Sequence, residues 1–275
     1  MRLLRVLCFL LLAAPAWAIK SSPTWWARPD TLGLKYQSLT LTTPDQVHLA
    51  AWLIEPRANV PARQTTVVMA GGDAGNMASL LFPAATFAAA GYQVLLFDYR
   101  GFGHSDAFAI DPNHLYYPEF TTDLRTALAE ARRQAPRHRV GVLGYSMGTI
   151  MGAEVAATAP GCDFLLTVGY VASPQGVKSY YERTRPERPV VLPADADTYA
   201  QVAPQVNCPW LLLAGKQDAV TTLADSQAVA RAARRGQRRK ALPVAGDHGG
   251  SMMAFSDLKP TNATVQAISR FLAGK

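Results

Sequence analysis

From residue 64 onward, short apolar runs alternate with longer segments in which apolar residues recur every turn of a helix. The apolar runs have the length of strands buried on both faces, about four to eight residues. Strands that alternate with helices favour a parallel sheet covered on both faces, and so an α/β fold. The predicted strands span residues 65–70, 93–97, 139–143, 164–172, 210–214 and 240–244, and the predicted helices span residues 78–90, 120–134, 149–159, 223–235 and 262–272.

Two earlier segments have a different pattern. Residues 36–42 and 47–54 alternate apolar and polar positions, which is typical of antiparallel strands with one solvated face. They predict an N-terminal hairpin at the edge of the sheet. No internal repeat and no long linker divides the chain, so residues 19–275 are expected to form a single domain.

One connection is longer than a simple crossover needs. Residues 174–207 separate the fourth and fifth predicted strands and are rich in tyrosine, arginine and proline. A connection of this length in a compact domain is usually functional or carries short helices of its own. We therefore predict a small lid over residues 174–207.

Residues 1–18 have the layout of a cleaved secretory signal peptide. Two arginines precede an apolar run over residues 6–14, and the small-residue pattern Ala-Trp-Ala ends at Ala18. The run is too short to span a bilayer. We expect cleavage near Ala18, a mature chain that begins at Ile19, and export to the periplasm or the cell exterior. The alternative is an uncleaved N-terminal helix.

Cleavage would lower the formal net charge from +7 to +5, because it removes two arginines. Much of the remaining positive charge lies between Arg231 and Lys240. This cluster has no interleaved aromatic residues and no nucleic-acid motif, so a nucleic-acid partner is not expected. We interpret it as a solvated helix end and loop, and the alternative is weak contact with an anionic surface. The sequence predicts no oligomeric state.

The run Gly144-Tyr145-Ser146-Met147-Gly148 matches G-x-S-x-G, and it stands between a predicted strand and a predicted helix. A sharp strand-to-helix turn of this kind strains the serine backbone and leaves room only for glycine on either side. It also points the serine oxygen over the carboxyl edge of the sheet. Ser146 is therefore the candidate nucleophile, and the alternative is a glycine-rich turn whose serine caps the helix.

A serine hydroxyl needs a base, and the base needs a group that orients it. His248 lies in a glycine-rich loop after the strand near residue 244, and Asp218 follows the strand over residues 210–214. Both positions are at the carboxyl edge, where sites form in such sheets. Asp218 is preferred to Asp225, which falls in the next helix, and to Asp247, which is adjacent to the histidine only in sequence.

The order Ser146, Asp218, His248 and the elbow motif resemble the α/β-hydrolase superfamily, and within it the serine-aminopeptidase-like branch with a small lid. The resemblance covers nearly all of residues 32–272. Residues 70–76 (AGGDAGN) stand where such proteins have an H-G-x-x-G-N loop, and residues 98–105 (DYRGFGHS) resemble their D-Y-R-G-x-G-x-S segment.

The resemblance implies an oxyanion hole made by the backbone N–H groups of Met147 and Asp73. The chain departs from the pattern in that loop, because Gly71 replaces the usual histidine and a carboxylate follows it. A backbone donor tolerates the change, but the Asp73 carboxylate could repel a developing oxyanion. In the second segment, Arg100 is expected to brace loops. His104 is expected either to line the pocket or to be exposed.

Cys162 and Cys208 each stand just before a predicted strand, and in this fold those strands are parallel neighbours. Both would lie at the end of the sheet away from the candidate site. Because neighbouring strands are about 4.8 Å apart and an exported chain meets an oxidising compartment, we predict a Cys162–Cys208 disulfide. The alternative is two reduced, buried thiols.

These features predict a serine hydrolase that forms an acyl-enzyme from a small-molecule acyl substrate, first of all a carboxylesterase, with no metal or cofactor. A peptidase or an acyltransferase is the alternative on the same residues. A peptidase would need charged groups to recognise a substrate terminus, for which Glu182 and Arg183 of the lid are candidates. An alternative of another class is a non-catalytic binding protein on a hydrolase scaffold, which only the altered Asp73 loop favours.

Overall fold

A computed structural model describes residues 18–187 and 189–274 of the chain. The predicted signal peptide falls almost wholly on residues 1–17, which lie outside the described residues. The strands are β1 (Lys20–Ser21), β2 (Tyr36–Thr42), β3 (His48–Ile54), β4 (Thr65–Ala70), β5 (Ala74–Gly75), β6 (Gln93–Phe97), β7 (Arg139–Tyr145), β8 (Leu165–Val168), β9 (Trp210–Gly215) and β10 (Arg239–Val244).

The α-helices of the described residues alternate with these strands. They are α1 (Leu81–Ala89), α2 (Glu119–Gln134), α3 (Gly148–Thr158), α4 (Pro174–Thr184), α5 (Val202–Gln205), α6 (Leu223–Arg231) and α7 (Ala263–Leu272). Short 3-10 segments cover Pro29–Leu32, Met77–Leu80, Ala194–Gln201 and Gly250–Phe255. Across residues 18–187 and 189–274, no helix is both long enough and apolar enough to cross a membrane.

Eight of the described strands form one open sheet in the order β10-β9-β8-β7-β4-β6-β3-β2. β2 and β3 pair antiparallel, β3 pairs antiparallel with β6, and the pairs from β6 to β10 are parallel. The prediction of a mostly parallel sheet with an antiparallel N-terminal edge hairpin is therefore confirmed. The parallel strands end at one edge, and the loops after β4, β7, β9 and β10 meet there.

Both faces of the sheet are buried, as the apolar runs predict. In β4, Val68 and Ala70 face one core cluster, which includes residues of α2 and α3, whereas Val67 and Met69 face a second cluster with residues of α1 and α7. Successive side chains of a strand point to opposite faces, so a strand that supplies both cores must be apolar throughout. The prediction of helices on both faces is confirmed.

Some boundaries differ from the prediction. The strand predicted over residues 164–172 ends at Val168, because Gly169 has a φ of +66° and turns the chain out of the sheet. The helix predicted over residues 223–235 ends at Arg231. The pairing of β1 with β5 has no signal in the sequence, since both strands are only two residues long.

The segment over residues 174–207 contains α4, a 3-10 segment and α5. It is attached to the body of the domain by Tyr199, which is buried and whose hydroxyl lies 3.4 Å from that of Tyr170. That this segment acts as a lid stays a prediction.

Candidate active site

The turn between β7 and α3 carries Ser146. Its φ of +49° lies in the left-handed region that residues other than glycine rarely adopt. The space around it explains the neighbouring glycines. A side chain at Gly148 would collide with the carbonyl oxygens of Ala70 and Gly71, and one at Gly144 would press on the backbone at residues 148–149. The turn therefore fits tightly against the end of β4 and holds the Ser146 hydroxyl at the carboxyl edge.

This packing predicts a large difference between two glycines of α3. Gly148→Ala is expected to lower the free energy of unfolding by about 1–3 kcal/mol, because the added methyl group meets backbone oxygens that cannot move aside. Gly152→Ala is the matched control. Its methyl group would lie 3.4 Å from the flexible side chains of Leu165 and Val142, and alanine favours a helix by about 1 kcal/mol. Urea unfolding of both variants tests this, and equal effects would contradict it.

His248 lies in the loop after β10, with its Nε2 atom 2.8 Å from the Ser146 Oγ atom. Two hydroxyl groups hold the histidine backbone, because Tyr145 donates to the His248 carbonyl oxygen at 3.1 Å and Ser251 donates to it at 2.8 Å. Burial and the nearby carboxylates raise the pKa of Tyr145 to about 12, so its hydroxyl keeps the proton that it donates.

Asp218, in the loop after β9, completes a hydrogen-bonded chain of three side chains. Its Oδ2 atom lies 2.9 Å from His248 Nδ1, and its Oδ1 atom accepts hydrogen bonds from the backbone N–H groups of Val220 and Thr221 at 2.9 and 2.8 Å. Burial alone would raise the pKa of Asp218, but the hydrogen bonds from His248 and Thr221 outweigh it and hold the pKa below its usual value. The carboxylate is therefore ionised at neutral pH.

The other two acids considered from the sequence have different roles. Asp225 forms a capping box with Thr222 at the start of α6. Asp247 accepts a hydrogen bond from the backbone N–H of Gly250 at 2.7 Å. The structure thus places Asp218 against the histidine and gives the two rivals local hydrogen bonds instead.

Thr221 is a residue of the site that sequence reasoning missed. Its hydroxyl donates to Asp218 Oδ2 at 2.7 Å and lies 3.1 Å from His248 Nδ1. Thr221 follows Asp218 by three residues, a spacing at which threonine commonly closes a turn with an aspartate, and that was the only available signal.

The loop over residues 71–76 lies beside Ser146. A side chain at Gly72 would lie 3.6 Å from Ser146 Cβ and 3.2 Å from the Tyr145 ring. Met147 stands at the N-terminal end of α3, where backbone N–H groups have no partner within the helix. The two amides assigned to the oxyanion hole, those of Met147 and Asp73, thus belong to segments on either side of Ser146, and their role stays a proposal.

Residues near the start of the described chain hold this loop in place. Lys20 N–H donates to the Asp73 carbonyl oxygen at 2.8 Å, and Ser22 N–H donates to the Gly75 carbonyl oxygen at 2.8 Å. The Asn76 side chain donates back to the Ser22 carbonyl oxygen at 3.1 Å. The segment before the sheet therefore fixes the backbone that carries the Asp73 amide.

Asp98, which follows β6, also connects the segment before the sheet to the residues just after the loop over residues 71–76. Its carboxylate accepts hydrogen bonds from the Met77 N–H at 2.7 Å, the Trp25 indole N–H at 2.8 Å and the His104 N–H at 3.1 Å. Burial raises the pKa of Asp98, and these hydrogen bonds oppose the rise. The His104 ring is exposed and stacks on Trp25 with centroids 3.6 Å apart, so of the two expectations the structure favours the exposed one.

Arg100 braces loops, as expected from the sequence. The guanidinium is buried and bonds two carboxylates, Asp123 of α2 at 2.7 Å and Asp45 of the β2–β3 turn at 2.6 Å. It joins the turn after β6 to α2 and to the edge hairpin, away from the Ser146 hydroxyl.

The predicted disulfide is wrong, because Cys162 and Cys208 are both free thiols. In the parallel pairing of β8 with β9, Leu165 is opposite Trp210, and the same register places Asp163, rather than Cys162, opposite Cys208. The two cysteines are thus offset by one residue along the strands. Their thiols lie against the same core cluster and in hydrogen-bonding contact, but not at the distance of a disulfide bond. Instead, the Cys162 thiol donates to the Phe164 carbonyl oxygen at 3.3 Å.

A protein-family model matches part of the chain. The family model described as serine aminopeptidase, S33, matches residues 61–181. That segment includes Asp73, Arg100 and Ser146 but ends before Asp218 and His248. Among curated proteins, the chain is 27% identical over 173 residues to an uncharacterised protein, YfhR, of Salmonella typhi, and the match covers 62% of this chain. The chain matches about half of that relative's length, since 52% of it is covered.

Solved structures share the fold over nearly the whole chain. The esterase Pf2001 of Pyrococcus furiosus superposes with a TM-score of 0.70 at 16% identity, covering 93% of this chain and 98% of that one. An acylaminoacyl peptidase of Pyrococcus horikoshii superposes with a TM-score of 0.59 at 15% identity, covering 87% of this chain and 41% of that one. At these identities the likeness shows the fold alone.

Proposed function

We propose that this chain is a member of the α/β-hydrolase superfamily that cleaves ester bonds through a covalent acyl-enzyme intermediate on Ser146. The family match and the neighbouring structures support a serine hydrolase of the α/β class. The ester substrate and the role of each residue are the proposal. The ester is proposed first because the neighbour that superposes over almost all of both chains is an esterase, and a peptide is the alternative substrate to test.

The observation that carries the proposal is the chain of hydrogen bonds from serine to carboxylate. Ser146 Oγ lies 2.8 Å from His248 Nε2, and His248 Nδ1 lies 2.9 Å from Asp218 Oδ2. Both distances are within the range in which a proton is shared or transferred. The strained backbone of Ser146 supports the same role, because such strain concentrates at functional positions.

In the proposed reaction, His248 Nε2 takes the hydroxyl proton as Ser146 Oγ attacks the carbonyl carbon of the ester. The carbonyl electron pair moves to oxygen, and the backbone N–H groups of Met147 and Asp73 stabilise the resulting oxyanion. Collapse of this intermediate expels the alcohol, which receives the proton from His248. A water molecule then attacks the acyl-enzyme in the same manner and releases the carboxylic acid, restoring Ser146.

Asp218 has two roles in this scheme. Because its pKa is held below the usual range, it is an anion throughout and fixes the His248 tautomer that leaves Nε2 free to accept a proton. It then stabilises the imidazolium that forms. The Asp73 carboxylate, which contributes to the raised pKa of Tyr145, adds negative charge nearby and would favour substrates without an anionic group at the carbonyl.

We also propose that the chain is exported, with cleavage near Ala18. The observation in favour is the sequence of residues 1–18 itself. Intact-mass analysis of protein from cultured cells is expected to give a chain that begins at Ile19 in the periplasmic or extracellular fraction. A full-length mass in the cytoplasmic fraction would contradict this.

The basic cluster between Arg231 and Lys240 is partly used inside the fold. Arg239 donates to the Ala203 carbonyl oxygen at 2.6 Å, and the Arg238 guanidinium lies 4.7 Å from the centre of the Phe271 ring. Weak contact with an anionic surface stays a proposal for the cluster's other basic groups.

The decisive experiment is labelling of the folded protein with a fluorophosphonate, followed by intact-mass analysis. We expect one label per wild-type chain and none on Ser146→Ala, because only an activated serine reacts. Ser173→Ala, which alters an exposed serine at the start of α4, is the control and should be labelled as fully as wild type. Absence of labelling on folded wild-type protein would overturn the proposal and favour a binding protein on this scaffold.

A further inference from the structure

A cavity of about 500 Å³ lies beside the proposed catalytic residues. Its wall includes Tyr145, which precedes Ser146, Gly249, which follows His248, and Asp73 of the loop over residues 71–76. The cavity therefore adjoins the place where a carbonyl carbon bonded to Ser146 would lie. The volume falls in the range of sites that bind small molecules, about 300–1,000 Å³.

The interior of the cavity offers mainly apolar contacts. Met77, Leu80, Tyr99 and Met252 contribute large apolar surfaces to the wall. The Asp98 carboxylate, which also lines it, already accepts three N–H groups.

Asn76, a second polar residue of the wall, is similarly occupied. Its side chain accepts the Ala78 N–H and donates to the carbonyl oxygens of Ser22 and Thr24. With the hydrogen bonds of Asn76 and Asp98 made within the protein, a ligand in this space meets mainly apolar surface, so the cavity suits a hydrocarbon group.

The rim of the cavity, at the protein surface, is also apolar. The exposed large apolar side chains of the described residues are Trp26, Phe82, Val191 and Met253, and all but Val191 cluster at this cavity. Phe82 and Met253 line it, and Trp26 stacks on Phe82 with ring centroids 6.0 Å apart. Exposed apolar side chains gathered at one opening indicate a site for an apolar ligand.

Resting on the proposed ester hydrolysis, we propose that this cavity binds the acyl chain of the substrate, and that the enzyme prefers esters of medium-length straight-chain fatty acids. The acyl group stays covalently bound through both halves of the reaction, whereas the alcohol must leave after the first. An apolar cavity beside the site therefore serves the acyl group without delaying release of the alcohol, and its binding energy can assist both steps.

The test is a series of p-nitrophenyl esters from acetate through butyrate and octanoate to laurate, used below their micellar concentrations. Each methylene group that enters the cavity is expected to raise kcat/KM about fourfold until the space is filled. Octanoate should therefore exceed acetate by at least about a hundredfold. A matching series of acetate esters with lengthening alcohols should show no such rise. A rise confined to the alcohol series would overturn the assignment.

Two variants test whether the dependence of kcat/KM on acyl-chain length arises in this cavity. Met252→Trp places a bulky ring in the wall and is expected to reduce the octanoate-to-acetate ratio at least about tenfold. Ala58→Trp introduces the same ring at an exposed position in the loop between β3 and β4, away from the cavity and the predicted lid, and should keep the wild-type ratio. Equal ratios in the two variants would overturn the proposal. Thermal unfolding of both variants checks that each is folded.

A binding measurement separates this proposal from the proposed function. In Ser146→Ala protein, calorimetry should detect binding of methyl octanoate and none of methyl acetate. Such binding, without hydrolysis of any ester by wild type, would support the cavity and overturn the proposed reaction. Hydrolysis of acetate esters with no gain on lengthening the acyl chain, and no difference between the two ligands, would overturn the cavity and leave the reaction intact.

Discussion

Asp218→Asn is expected to lower kcat for ester hydrolysis by about 10⁴-fold. The amide can donate a hydrogen bond to His248 Nδ1, which favours the tautomer with the proton on Nε2, so the base can no longer accept the Ser146 proton. The loss of the negative charge also removes stabilisation from the imidazolium that forms. The measurement is steady-state hydrolysis of an activated ester, because kcat reports the step in which the proton moves.

Two control variants make that result specific. Asp225→Asn removes a carboxylate at the start of α6, where it caps the helix, and should leave kcat near the wild-type value. Thr221→Val removes a hydroxyl that touches both Asp218 and His248, and should reduce kcat by only about tenfold, because the charge stays in place. A fall in kcat of less than tenfold for Asp218→Asn would contradict the proposed role of that carboxylate.

The sequence predicts the sheet and the three facing side chains because their signals are local. The strands β4, β6, β7, β8 and β9 are largely apolar runs, and the glycines around Ser146 mark a strained turn. Placement at one edge then follows from topology alone, since the loops after parallel strands meet there. For this reason Ser146, Asp218 and His248 could be grouped although more than a hundred residues separate the first from the last.

The contacts that support the loop over residues 71–76 could not be predicted in the same way. Lys20 and Ser21 pair with residues 74–75, and the Trp25 indole N–H donates to Asp98. The segments that make these contacts have no periodic pattern in the sequence. Contacts of this kind depend on where two irregular segments meet after folding. The predicted disulfide was wrong for a related reason, because the spacing places both cysteines at the same end of the sheet but does not set the register within one residue.

These irregular contacts connect the stability of the fold to the site. The turn after β6 carries Asp98, which accepts a hydrogen bond from Met77, just after the loop over residues 71–76. Two residues later it carries Arg100, which forms ion pairs with α2 and the edge hairpin. Damage to the ion pairs of Arg100 is therefore expected to affect the backbone near Asp73 as well as the stability of the domain.

Asp123→Ala is expected to lower the free energy of unfolding by about 3–5 kcal/mol. The Asp123 side chain is fully buried and bonds the Arg100 guanidinium through both Nε and Nη2, so its removal leaves a buried cation without its main partner. Asp45→Ala is the matched control on the same guanidinium. Its side chain is 49% exposed, and surface pairs contribute at most about 1 kcal/mol, since water can replace the lost carboxylate. Urea unfolding of both variants at neutral pH measures the difference, and equal losses would show that burial does not determine the strength of these ion pairs.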